Sequence, residues 1–157
     1  MYKRQEKALF GAGCFWGVEE NFRELPGVKK TEVGYCGGTT INPSYESVCK
    51  GDTNHAEVVL LEFDENEISF KILLDHFWKC HDPTTLNRQG PDIGTQYRSV
   101  IFYFNENQKI MAQDSKEIFS KKNNLNVVTE ITNVKDYYKA EEYHQKYIQK
   151  TGLHCAI

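Results

Sequence analysis

Three features of the chain predict an α+β fold, a two-layer sandwich in which helices cover a mixed sheet. Residues 55–63 alternate, with Val59, Leu61 and Phe63 on one face and Val58 and Leu60 on the other, as in a central strand covered on both sides. Ser69, a good N-cap, precedes Phe70, Leu73, Leu74, Phe77 and Trp78, which mark an amphipathic helix running to about Cys80. Strand-like segments slightly outnumber helical ones and only partly alternate with them, so the sheet is expected to be mixed.

Taken in order, residues 7–10 read as a short strand, and Gly11-Ala12-Gly13 supplies a sharp turn that only small residues tolerate easily. A helix follows, because Phe15, Val18, Phe22 and Leu25 fall on one helical face until Pro26-Gly27 stops the pattern. Residues 28–35 read as a second strand leading into Cys36-Gly37-Gly38, and 39–50 as a loop with room for one helical turn. Such long loops with Gly, Pro and Tyr often carry function. After the helix that ends near Cys80, residues 81–92 are expected to be loop, 98–104 a strand, 105–122 a helix and 127–131 a strand. A last helix over 140–149 would place Tyr143, Tyr147 and Ile148 on one side, and residues from about 150 form a short mobile tail.

The 157 residues make one domain, with no linker or repeat to divide them, and a chain of this length can bury most of its unfolded surface. It is 39% hydrophobic with a net charge of -3, which indicates neither a nucleic-acid footprint nor an acidic disordered tail. Lys3 and Arg4 precede an apolar stretch too short for a signal-peptide core, and no apolar run approaches the roughly 18 residues a membrane span requires. A cytoplasmic, monomeric enzyme without membrane attachment is the expectation. Five cysteines without regular spacing argue against a structural disulfide framework and fit a reducing compartment where thiols do chemistry.

The chemistry is expected to centre on Gly13-Cys14-Phe15-Trp16-Gly17. Cys14 falls in the first turn of the first helix, where unpaired backbone N–H groups and the positive end of the macrodipole favour an anion. A lone cysteine is more often a small buried hydrophobe. The strand, the glycine turn, the helix start and the two adjacent aromatics together favour a reactive thiol instead. Phe15 and Trp16 cannot both face the core easily, so one of them can line a pocket beside the sulfur, although inward packing of both remains open on pattern alone.

Gly13-Cys14-Phe15-Trp16-Gly17 occurs together with Gly34-Tyr35-Cys36-Gly37-Gly38, Pro43-Ser44-Tyr45-Glu46, His55-Ala56-Glu57, His81-Asp82-Pro83-Thr84 and Gly94-Thr95-Gln96-Tyr97-Arg98. In this order the motifs resemble those of peptide methionine sulfoxide reductases of the A class, from about Ala8 to Tyr147. Reduction of a sulfoxide by a thiolate needs a nucleophile, a proton for the departing oxygen and a cavity for the methyl group. Cys14 answers to the first. Glu57, read alone, passes for a solvated strand-end carboxylate; the His-Ala-Glu match makes it the proton donor, and partial burial would raise its pKa. Tyr45 and Tyr97 match positions that hydrogen-bond the sulfoxide oxygen, Asp92 one that orders the polar side of the site, and Phe15 and Trp16 the apolar wall.

The resemblance implies attack on the sulfoxide sulfur, release of methionine, a sulfenic acid on Cys14, an intramolecular disulfide, and regeneration by thioredoxin or a similar dithiol. It implies the S epimer as substrate, free or in proteins, a role in repair of oxidative damage, and no metal or organic cofactor. Cys155, in the tail, is the expected resolving thiol, with Cys36 in the Gly-rich loop as the alternative; Cys49 and Cys80 read as structural. Two rivals fare worse. A papain-like protease would pair Cys14 with His144 or His154 but lacks the local signature, and a metal module built on Cys80, His81, His154 and Cys155 lacks any Cys-x-x-Cys spacing.

Overall fold

In the computed structural model, which describes residues 5–152, β1 (Gln5–Ala12), β2 (Val28–Cys36), β3 (Ala56–Asp64), β6 (Ser99–Tyr103), β7 (Glu130–Asn133) and β8 (Tyr138–Lys139) form one sheet. The order is β7-β6-β1-β3-β2-β8; β6 and β7 run parallel and the other pairs antiparallel, so the sheet is mixed as expected. The central strand is β3, and its alternation does what the sequence predicts. Val59, Leu61 and Phe63 enter the main core with Phe10, Phe22, Leu73, Leu74 and Phe77, while Val58 joins Leu9, Val100 and Phe102 on the opposite face.

The helices are α1 (Phe15–Arg23), α2 (Tyr45–Cys49), α3 (Phe70–Lys79), α4 (Glu106–Asn123) and α5 (Tyr147–Thr151). Each of the two long ones starts on a side-chain cap: Ser69 accepts from the Ile72 N–H at 3.2 Å and Asn105 from the Gln108 N–H at 2.9 Å. Each cap is worth about 1 kcal/mol. No helix among the described residues is long and apolar enough to cross a membrane.

Three expectations are corrected. The stretch 81–92 is not all loop: β4 (Arg88–Gln89) and β5 (Asp92–Ile93) form a small separate hairpin. The strand expected at 127–131 lies at Glu130–Asn133, because the Val128 N–H is spent on the Pro83 carbonyl at 2.9 Å and parallel pairing with β6 begins at Glu130. The single helix expected over 140–149 is broken into a 3-10 turn (Glu142–His144) and α5. Between them the Gln145 side chain serves as a strand surrogate, accepting from the Val33 N–H at 2.8 Å and donating to the Val33 carbonyl at 2.9 Å, and Lys146 takes a positive φ of 52°. A continuous helix cannot meet those demands.

A buried polar chain ties α3 to the sheet. His81 Nδ1 lies 2.7 Å from the Phe77 carbonyl, which can only accept, so Nδ1 carries the proton and Nε2 accepts from the Ser99 hydroxyl at 2.7 Å; Ser99 in turn lies 2.7 Å from the Thr129 hydroxyl. Burial lowers the His81 pKa from 6.5 to about 4. The unfolded chain therefore binds a proton that the folded one refuses between those values. The stability is complete above pH 6.5 and falls by about 3 kcal/mol as the pH drops to 4. Urea unfolding across that range should show this loss, and the His81→Gln variant should lose most of that pH slope.

Candidate active site

The site begins where β1 turns into α1. Gly13 has φ +103°, and a Cβ there would lie 2.8 Å from Gln89 Cγ, so both the backbone and the packed hairpin require glycine. Cys14 is the N-cap of α1, one residue ahead of the expected first turn; it is half-buried and makes no capping hydrogen bond with its side chain. The first-turn donor is taken from across the sheet instead: the Phe15 N–H donates to Glu57 Oε1 at 3.1 Å. Glu57, the second residue of β3, is 1% exposed and sits opposite Tyr35 in the β2–β3 ladder, so it is a buried carboxyl and not a solvated one. A helix N-terminus, a thiol and a buried carboxyl thus meet at one point.

The phenols surround it. Tyr45 opens α2 behind the Ser44 cap, its N–H donates to Glu141 Oε2 at 2.9 Å and its hydroxyl to the Cys49 thiol. Tyr97 closes a 3-10 turn (Thr95–Tyr97), and Asp92 stands half-buried on β5. Burial, the largest cause, pushes both phenols above their ordinary pKa. They remain neutral donors. Tyr97 interacts electrostatically with Glu57, Cys49, Asp92 and Cys14, which places these groups in one neighbourhood.

The two aromatics part company. Phe15 is fully buried, tilted against Tyr35 and stacked with Tyr45, whereas Trp16 stays partly exposed. The Trp16 ring stacks on Tyr147 at 3.9 Å with 12° between planes, and its Nε1 donates to His144 Nδ1 at 2.8 Å. Of the two, only Trp16 can present a wall to a ligand.

Sequence reasoning missed three residues. Glu141 accepts from the Tyr35 hydroxyl at 2.8 Å as well as from the Tyr45 N–H; His144 is buried against Phe15, Trp16 and Tyr45; and Cys49, read as structural, is exposed beside the Tyr45 hydroxyl. Burial lowers the His144 pKa, so the ring is neutral. The one signal in the chain was the aromatic cluster Tyr143-His144 with Tyr147, which a surface helix would not need.

The remaining cysteines and histidines stand elsewhere. Cys36 is buried on the opposite face of the sheet, donates its thiol hydrogen to the Lys135 carbonyl at 3.0 Å and has its pKa raised by that burial. Cys80 donates to the Phe77 carbonyl, and burial pushes its thiol up to about 12. His81 has both nitrogens engaged within the protein, and His144 Nε2 has no hydrogen-bond partner among the described residues, so no Cys14–His144 hydrogen bond exists there. Cys155 and His154 lie outside the described residues.

Residues 6–156 match the model of the family described as peptide methionine sulfoxide reductase. A relative from Methanosarcina acetivorans, named peptide methionine sulfoxide reductase MsrA, is 58% identical over 150 residues, 94% of this chain and 80% of its own length. The reduced form of Mxr1 from Saccharomyces cerevisiae superposes with a TM-score of 0.92 at 36% identity, covering 99% of this chain and 92% of that one. Methionine sulfoxide reductase A of Corynebacterium diphtheriae gives 0.91 at 38% identity, over 97% and 77%. With the thiol, carboxyl and phenols gathered as described, the chain belongs to the peptide methionine sulfoxide reductase family, in its A class.

Proposed function

We propose that this chain, as a single catalytic domain, reduces the S epimer of methionine sulfoxide, free or within proteins, to methionine. The observation that carries the mechanism is the 3.1 Å hydrogen bond from the Phe15 N–H to Glu57, which sets a buried carboxyl beside the Cys14 helix start. Burial favours the neutral form of a carboxyl group. Oε1 accepts from the backbone, and Oε2 is the oxygen that carries the transferable proton.

The thiolate of Cys14 attacks the sulfoxide sulfur, forming an S–S bond as Glu57 protonates the oxygen; the oxygen then passes from the substrate sulfur to the Cys14 sulfur as the S–O and S–S bonds break, so that methionine leaves and Cys14 is left as a sulfenic acid. Tyr45 and Tyr97, held neutral, stabilise charge developing on that oxygen, with Asp92 ordering the polar side. Trp16, backed by buried Phe15, holds the methyl group. A second thiol then displaces water from the sulfenic acid, and a thioredoxin-like dithiol reduces the resulting disulfide. The yeast relative Mxr1 has been described in complex with Trx2.

For the second thiol we favour Cys155. Cys36 is buried behind the sheet with its hydrogen committed, and reaching Cys14 would require unpairing the end of β2. One turnover of racemic sulfoxide without reductant should release one methionine per enzyme, consume only the S epimer, and yield a Cys14–Cys155 disulfide on peptide mapping. Cys155→Ser should still release that one equivalent but lose thioredoxin-dependent recycling. A Cys14–Cys36 or Cys14–Cys49 disulfide would overturn the assignment of the resolving thiol, and consumption of the R epimer would overturn the substrate.

A further inference from the structure

The mechanism leaves a buried carboxylate on α1 unused. Glu19, on α1, is 1% exposed, and its two oxygens accept from the Thr31 hydroxyl at 2.8 Å and the Lys146 N–H at 2.6 Å. Both partners are donors, which suits an acceptor-only group. A buried charge costs stability unless it is fully hydrogen-bonded, and apolar residues of similar volume often do the purely structural work as well or better. The carboxylate therefore calls for a reason beyond packing.

That reason lies on the far side of Lys146. Its backbone is held at φ +52°, a conformation that a residue other than glycine keeps only when its surroundings impose it. It separates Gln145, clasped to Val33, from Tyr147, whose ring stacks on Trp16. None of the five residues of α5 is buried, so core packing does not fix where Tyr147 stands. The turn at Lys146 does. Trp16 and Glu19 are three residues apart on α1 and share a face, so the helix that carries the indole also carries the clamp that holds Tyr147 against it.

We propose that Glu19 is a positioning residue for the active site: by gripping the Lys146 N–H it sets the stack of Tyr147 on Trp16 and hence the wall against which the substrate methyl group rests. The proposal builds on the sulfoxide reductase reading. The wall touches the methyl group equally in substrate and transition state, so loosening it should act on KM more than on kcat.

Glu19→Met fills the same volume without an acceptor, and Glu19→Gln keeps one acceptor for Lys146 while its amide can donate to Thr31. With dithiothreitol as reductant, Glu19→Met should raise KM for free sulfoxide about fivefold or more with kcat within about twofold of wild type, and Glu19→Gln should restore KM to within about twofold. Thr31→Val, which spares the Lys146 contact, should lower stability and leave KM alone. Tyr147→Ala should raise KM by itself and add little on top of Glu19→Met. Acrylamide quenching of tryptophan fluorescence, which needs no activity, should increase in Glu19→Met, because Trp78 is buried and Trp16 is not. Unchanged quenching and KM in Glu19→Met, failure of Glu19→Gln to rescue, or additive effects with Tyr147→Ala would overturn the clamp. If Glu19→Met does not fold, an unchanged KM in Tyr147→Ala does so. A wild type that reduces no sulfoxide, yet shows the quenching difference, would sink the activity reading and leave the clamp standing.

Discussion

Replacing Cys14 by serine is expected to abolish sulfoxide reduction and to leave the protein folded. The position separates the two effects well. Cys14 is the N-cap of α1 and its own side chain makes no capping bond, whereas serine is a preferred N-cap whose hydroxyl can accept from a first-turn N–H. The variant should therefore be at least as stable as the wild type, so lost activity reports chemistry. An alcohol at this place is neither ionised nor able to reach a sulfenic state. Methionine released from racemic sulfoxide with excess dithiothreitol is the measurement, and activity above about a tenth of wild type would move the nucleophile to another residue.

Glu57→Gln is expected to slow the first chemical step by roughly a hundredfold or more. The amide oxygen can still accept from the Phe15 N–H, so the junction between β3 and the start of α1 should keep its shape. What is lost is the proton. The defect should appear in single-turnover release of methionine, before any disulfide forms, and should persist whatever reductant is supplied. Unchanged single-turnover release would remove Glu57 from the role of acid and point to a phenol, with Tyr97 the first candidate because it interacts with both Cys14 and Asp92.

The two experiments address groups of unequal legibility. Cys14 stands out in the chain because its setting is local: strand, glycine turn and helix start are contiguous, and the φ of Gly13 follows from three residues. Glu57 does not stand out. Only the antiparallel register of β3 against β1 and β2 buries it and aims Oε1 at Phe15, forty-two residues away. Without the family motifs the chain offers no means of separating it from a surface carboxylate.

Periodicity and capping were sufficient for the elements whose partners lie within one turn or one strand: the two-sided alternation of β3, the Ser69 cap, the amphipathic faces of α1 and α3. These are nearest-neighbour effects, and the sequence by itself determined them, along with the mixed sheet under helices. Tertiary structure alone decided the rest. The last helix breaks because Gln145 is drawn to the Val33 backbone and Lys146 to Glu19, contacts that span more than a hundred residues and outweigh local helix propensity. Other long-range contacts bring Glu141 to Tyr45 and His144 to Trp16, and Cys49, one turn on from Tyr45 along α2, arrives at the site with it. A hydrogen bond to a buried donor is worth more than a preferred dihedral, and which donors are buried is known only once the sheet has closed over them.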